Sequence, residues 1–242
     1  MSTGSDGQPS QESAAGEKRL VWFGMIWGVV WPAILGVILF AASGSWRWPL
    51  AWAYLLGYGL VLILGSIFAI HRDPEFTSER TQAKEGTKTW DKWLSGPLFS
   101  PLWLGLYIVA GLDRRYGWSP SWTPAAALAV VVSALGYALP VWAMAANRFY
   151  GRFVRIQTER GHTVVDTGPY RYVRHPGYAG MIVFMLATAL ALESLWALIP
   201  AALVAAVLVI RTALEDRTLL EELPGYREYA QRVHYRLVPG VW

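Results

Sequence analysis

Long apolar runs alternate with short charged segments along the chain, and the run length predicts the architecture. Crossing about 30 Å of hydrocarbon at about 1.5 Å per residue takes roughly 20 apolar residues in a helix. Four runs meet that length: Leu20 to Ala42, Trp48 to Ile70, Trp93 to Leu112 and Trp122 to Ala146. A fifth stretch, Pro176 to Ile210, is interrupted only by Glu193 and Ser194, which fits two short spans folded as a tight hairpin. The expected fold class is therefore all-α, a polytopic membrane helix bundle of about six spans whose last two form the hairpin. A single bent helix over the same stretch would leave five.

Charge orients the six-span arrangement. Of the 21 Lys and Arg residues, only Arg47, Arg114 and Arg115 fall on one face, and the other 18 fall on the opposite one. Basic loops stay on the cytoplasmic side, so both termini and the 147–175 loop are expected there. The five-span alternative would send the C-terminal arginines across. The same placement removes the argument for nucleic-acid binding from a net charge of +4, because the cations flank spans and form no basic stripe. Trp46, Trp48, Trp90, Trp93, Trp118 and Trp122 stand at span ends and read as interfacial anchors.

Composition adds little beyond this, with two exceptions. The chain has no Cys, which excludes disulfides, thiol nucleophiles and Cys-based metal sites. Met1 to Glu17 is rich in Ser, Gly, Gln and Glu and reads as a disordered cytoplasmic tail ahead of one membrane domain over 18–242.

Polar residues concentrate at both ends of the hairpin, in Arg152 to Gly180 and in Arg211 to Trp242. A hairpin closed at one end brings its other two ends together, so these regions should meet at one membrane surface and form a site. Pro176 suits a first helical position, and the amides behind it would face a pocket and favour a carboxylate. Arg171, Arg174 and His175 could equally be headgroup anchors. Arg211 and Glu215 share a helix face by their i,i+4 spacing, and ionisable groups at such depth are usually functional when paired and turned inward. An interfacial ion pair closing the span is the plainer reading. The charges from Asp216 to Glu222 read as a solvated helix end.

At these residues the chain resembles the isoprenylcysteine carboxyl methyltransferase family, which includes related phospholipid methyltransferases. Its hallmark, Arg-His-Pro-x-Tyr-x-Gly followed after a hairpin by a Glu-Glu pair, is matched by Arg174-His175-Pro176-Gly177-Tyr178-Ala179-Gly180 and by Glu215, with Asp216 departing at the second acidic position. His162-Thr163-Val164-Val165 resembles a cofactor-contacting element of the family, Tyr170 matches its Tyr five residues before the His, and Gln157 is the nearest candidate for a Gln further upstream. The resemblance spans roughly 149–239. It implies direct methyl transfer from S-adenosylmethionine to a lipophilic or small acceptor arriving from the bilayer, at a site facing the cytoplasm. It further implies cofactor binding by Gln157, His162, Thr163, Val164, Val165, Tyr170, His175, Pro176, Gly177, Tyr178 and Glu215. Arg211 would orient an anionic acceptor, and Arg174 would serve either partner.

Membrane sterol reductases, which use NADPH, carry a similar run. Their version differs at the positions held here by Tyr170, Gly177 and Met181. A membrane scaffold without enzyme activity would not need polar clusters at both ends of the hairpin.

Overall fold

The computed structural model describes residues 11–72 and 84–242, with side chains from 25 to 67 and from 84 onward. The helices are α1 (Gln11–Ser43), α2 (Pro49–Arg72), α3 (Thr89–Trp93), α4 (Phe99–Tyr116), α5 (Thr123–Ala146), α6 (Pro176–Ala191), α7 (Leu198–Glu222) and α8 (Tyr226–Arg232). Among the described residues, five segments are long and apolar enough to cross a membrane, and α6 is a shorter apolar helix. A bilayer core leaves backbone groups no water to bond, and helices meet that demand within each segment. The polytopic helix bundle expected from the apolar runs is the observed fold.

Three boundaries differ from expectation. Helix α1 begins at Gln11, so it takes in residues assigned above to the tail; Met1 to Ser10, and 73–83 of the second basic loop, lie outside the described residues. The third span starts at Thr89 and includes a π turn over Leu94–Leu98, where Pro97 removes an amide from the ladder. Helix α7 runs unbroken past Ile210 to Glu222, because Arg, Leu, Glu and Thr there are good or tolerable helix formers and no Pro or Gly intervenes.

The terminal apolar stretch does fold back on itself. Its turn is built around Glu193, in the left-handed region at φ 53°, whose Oε1 accepts from Ser121 Oγ at 2.7 Å and from the Trp122 amide at 2.8 Å. Asp113 accepts from the Ser119 amide and hydroxyl at 2.8 and 2.7 Å, and from Ser194 Oγ. The hairpin turn and the 117–122 loop are thus knitted together at one end of the bundle, and Arg114 lies over the Trp48 ring at that same end. Trp48 is only 2% exposed, so it is a core residue and not an interfacial anchor.

Helices α5 and α6 pack closely because small residues meet. A Cβ on Gly180 would lie 2.4 Å from Pro140 and 2.6 Å from the Gly136 carbonyl. Deeper in the bundle, the Tyr54 and Tyr107 hydroxyls are 2.6 Å apart and Thr188 Oγ1 lies 3.3 Å from Tyr54, tying α2, α4 and α6. Leu35, Leu39, Leu106, Phe184, Met185 and Val204 fill the core around them.

Candidate functional site

At the end opposite the hairpin turn, a cavity of about 440 Å³ lies between the 147–175 loop, α6 and α7. Phe99, Trp103 and Leu104 of α4, with Trp31 of α1, also line it. The helical phase of α7 explains what it contributes: at about 100° per residue, Arg211, Glu215 and Leu219 fall on one stripe. All three line the cavity.

Tyr178, in the first turn of α6, donates its hydroxyl to Glu215 Oε2. The Arg211 guanidinium sits 5.2 Å from the centroid of the Tyr178 ring, within cation–π range. Tyr178 and Glu215 therefore share one cavity wall although 37 residues separate them. Gly177 is needed beside Tyr178, since a Cβ there would lie 2.5 Å from the Tyr150 hydroxyl, another lining group.

Asp216 is fully buried, contrary to the solvated helix end read from the sequence. The next residue after Glu215 turns to the other side of α7, where the C-terminal segment covers it. Its Oδ1 accepts from Arg174 Nε at 2.8 Å and Tyr226 Oη at 2.9 Å, and lies 3.2 Å from His175 Nε2. Its Oδ2 accepts from Arg174 Nη2 at 2.9 Å and Arg236 Nε at 2.8 Å. Arg174 Nη1 donates to the Val233 and His234 carbonyls at 2.9 Å, so this guanidinium is held from both sides. The amides of Arg174 and His175 donate to Tyr235 and Arg236 carbonyls, which fastens the C-terminal segment against the hallmark run. Burial, then the nearby Asp216 charge, push the Tyr226 hydroxyl well above the ordinary tyrosine range.

His162, Thr163, Val164, Val165 and Tyr170 all line the cavity, as do Arg174, His175, Gly177, Tyr178, Arg211 and Glu215. Burial holds the His162 imidazole down at about 4, with Arg155 and Arg160 adding to it. The neutral ring accepts the Gln157 amide at Nδ1, 3.3 Å away, and packs 4.4 Å from the Phe149 ring.

Two expected contacts are not on the wall. Gln157 is turned into the loop, where its Nε2 donates to the Phe149 carbonyl at 2.7 Å and its Oε1 accepts from Arg160 at 2.8 Å. Its amide is consumed in closing the loop. Pro176 is buried behind the lining residues. The helix start also offers less to an anion than expected, since the Tyr178 and Ala179 amides both donate to the His175 carbonyl at 3.2 Å.

Asp91, to which the sequence reading assigned no role, is fully buried and forms an ion pair with Arg211, Oδ1 to Nε 2.7 Å. The contact is close without being a directed hydrogen bond; Asp91 Oδ2 accepts one from Arg211 Nη2 at 3.3 Å. An acidic residue inside the Trp90–Trp93 stretch at the start of a span was the available signal.

Residues 124–224 match the phospholipid methyltransferase family. The chain is also similar to two probable protein-S-isoprenylcysteine O-methyltransferases, from Oryza sativa subsp. indica and subsp. japonica. Each is 33% identical over 96 residues, covering 37% of this chain and 48% of the relative. The chain thus spans about half the length of these relatives. The family match covers the segment that carries α5, the hallmark run and α7.

Proposed function

We propose that this protein is an integral membrane methyltransferase that transfers the methyl group of S-adenosylmethionine to a lipophilic or small acceptor. The observation that carries the reading is the shared cavity wall of Tyr178 and Glu215, with Arg211 over the Tyr178 ring.

The residues suit such a molecule. A cavity of about 440 Å³ falls in the size range of small-molecule sites. Glu215 has a hydrogen bond from Tyr178 and, among the described residues, no ion-pair partner, so its charge is available to an ammonium group. Tyr150, Tyr170, Tyr178 and Phe149 present aromatic rings to the cavity, which favour both an adenine and a positively charged sulfonium. The sulfonium supplies an already activated methyl group: the acceptor lone pair forms the new bond to carbon while sulfur keeps the electrons of the broken one. What remains for the protein is alignment and exclusion of water, worth several kcal/mol when the reacting groups are held in line. Thr163, Val164 and Val165 line one side of the site and His175 and Gly177 another. Arg174, whose donors are taken up by Asp216 and two carbonyls, holds the hallmark run in place. Gln157 serves through the loop it closes.

The 18 to 3 split of Lys and Arg between the two faces supports a cavity and termini on the cytoplasmic side. Because the chain lacks Cys, single-cysteine variants at Glu221 and Trp118 report orientation cleanly with an impermeant maleimide in sealed vesicles. Labelling of both from the same side would sink the arrangement.

The direct test of function is calorimetry with S-adenosylhomocysteine and a labelled-methyl assay over lipid amines, prenylated carboxylates and small thiols or hydrophobic acids. Binding of S-adenosylhomocysteine that weakens in Glu215→Gln is expected. Stabilisation by NADPH with none by S-adenosylhomocysteine would replace this reading with the reductase alternative.

A further inference from the structure

Arg211 and Glu215 stand one turn apart on α7, a spacing at which opposite charges pair readily. They do not pair here. The Arg211 charge goes to Asp91, across 120 residues, while Glu215 receives the neutral Tyr178 hydroxyl. Arg211 is largely buried, and a buried guanidinium needs a counter-charge. Two carboxylates are within its reach, and the one it does not take is left facing the cavity.

Asp91 is built to win that competition. Its Oδ2 accepts the Val154 amide at 2.7 Å, and its carbonyl accepts Ser95 Oγ at 2.6 Å. The Lys88 amide donates to the Val154 carbonyl at 3.0 Å, so the turn before α3 is fastened to the 152–154 segment by two rungs. Arg211 Nη2 donates to the Arg152 carbonyl on the same segment. The guanidinium is thereby drawn toward α3 and the loop.

We propose that Asp91 is a positioning residue: by holding Arg211 away from Glu215, it keeps the Glu215 carboxylate open for a cation in the cavity. The inference rests on the reading above in which Glu215 receives the ammonium group of the cofactor. It adds a residue outside the matched family segment, contributed by the third span.

The test is calorimetric titration of the full chain in detergent with S-adenosylhomocysteine. Asp91→Asn retains a carbonyl oxygen for the Val154 amide and removes only the charge. Its affinity should fall about ten-fold or more, approaching that of Glu215→Gln. The double variant Asp91→Asn with Arg211→Gln removes the competing cation and should return to within about three-fold of the parent. A purely structural Asp91 would not be rescued in this way. Parent-like affinity in Asp91→Asn, or a double variant as weak as the single one, overturns the proposal. Should Asp91→Asn not give monodisperse protein, the double variant decides, with parent-like affinity supporting the proposal and a Glu215→Gln-like loss overturning it. If Glu215→Gln itself binds like the parent, the underlying reading of Glu215 fails and the proposal with it; loss in Glu215→Gln alone removes only the role of Asp91.

Discussion

Arg174 and Asp216 form a two-point ion pair, Nε to Oδ1 at 2.8 Å and Nη2 to Oδ2 at 2.9 Å, between the loop before α6 and the C-terminal part of α7. Both side chains are buried, and Arg236, Tyr226 and His175 complete the shell around the carboxylate. The pair joins the two ends of the hairpin beside the cavity and ties the hallmark run to α7.

Removing the charge of Asp216 should therefore act on the whole site. Asp216→Asn leaves two guanidinium groups facing a neutral amide, and breaking a buried pair from one side costs about 3–5 kcal/mol. A marked drop in the thermal unfolding midpoint in detergent is expected. A midpoint equal to the parent's would mean that this cluster does not hold the hairpin.

The Tyr178 side chain makes two separable contacts. Tyr178→Phe loses the hydroxyl to Glu215 and keeps the ring under Arg211, so S-adenosylhomocysteine affinity should fall by a factor of about five, matching about 1 kcal/mol for one hydrogen bond. Tyr178→Ala also removes an aromatic ring that lines the cavity and should lose more. Equal losses in the two variants, read by calorimetry, would assign the whole effect to the hydroxyl.

His162 predicts a pH dependence with a definite sign. Its folded value of about 4 lies below the ordinary histidine value of 6.5, because burial and then Arg155 and Arg160 disfavour the imidazolium. The contribution to stability is complete above pH 6.5. It is lost as pH falls from 6.5 toward 4, where the unfolded chain takes up a proton and the folded one does not. Imidazole NMR should show the low midpoint, and His162→Gln should flatten the stability profile in that window. A midpoint near 6.5 would contradict the burial.

Gly180 is the tightest glycine in the α5–α6 contact. Gly180→Ala places a methyl group against Pro140 and the Gly136 carbonyl, neither of which can swing aside. Overpacking of this kind costs about 1–3 kcal/mol. The expected result is a lower unfolding midpoint, with the larger loss in Gly180→Val. Two variants as stable as the parent would show that the helices separate freely.

What the amino-acid sequence determined by itself is what short-range pattern encodes. Run length set the spans, the Glu193–Ser194 interruption set the hairpin, and i,i+4 spacing put Arg211 and Glu215 on one face with Tyr178 opposite. Each depends on residues close along the chain or joined by a forced return. Tertiary structure alone decided which charges are paired, and with whom. Asp91 meets Arg211 across 120 residues and Asp216 meets Arg174 across 42, yet a carboxylate at a helix end reads the same whether water or a guanidinium faces it. Gln157 could be read from its position as a ligand contact; only the loop's closure shows its amide already bonded. Trp48 had the position of an anchor, but the neighbours that bury it come from elsewhere in the chain. Burial depends on which surfaces meet, and no local pattern contains that.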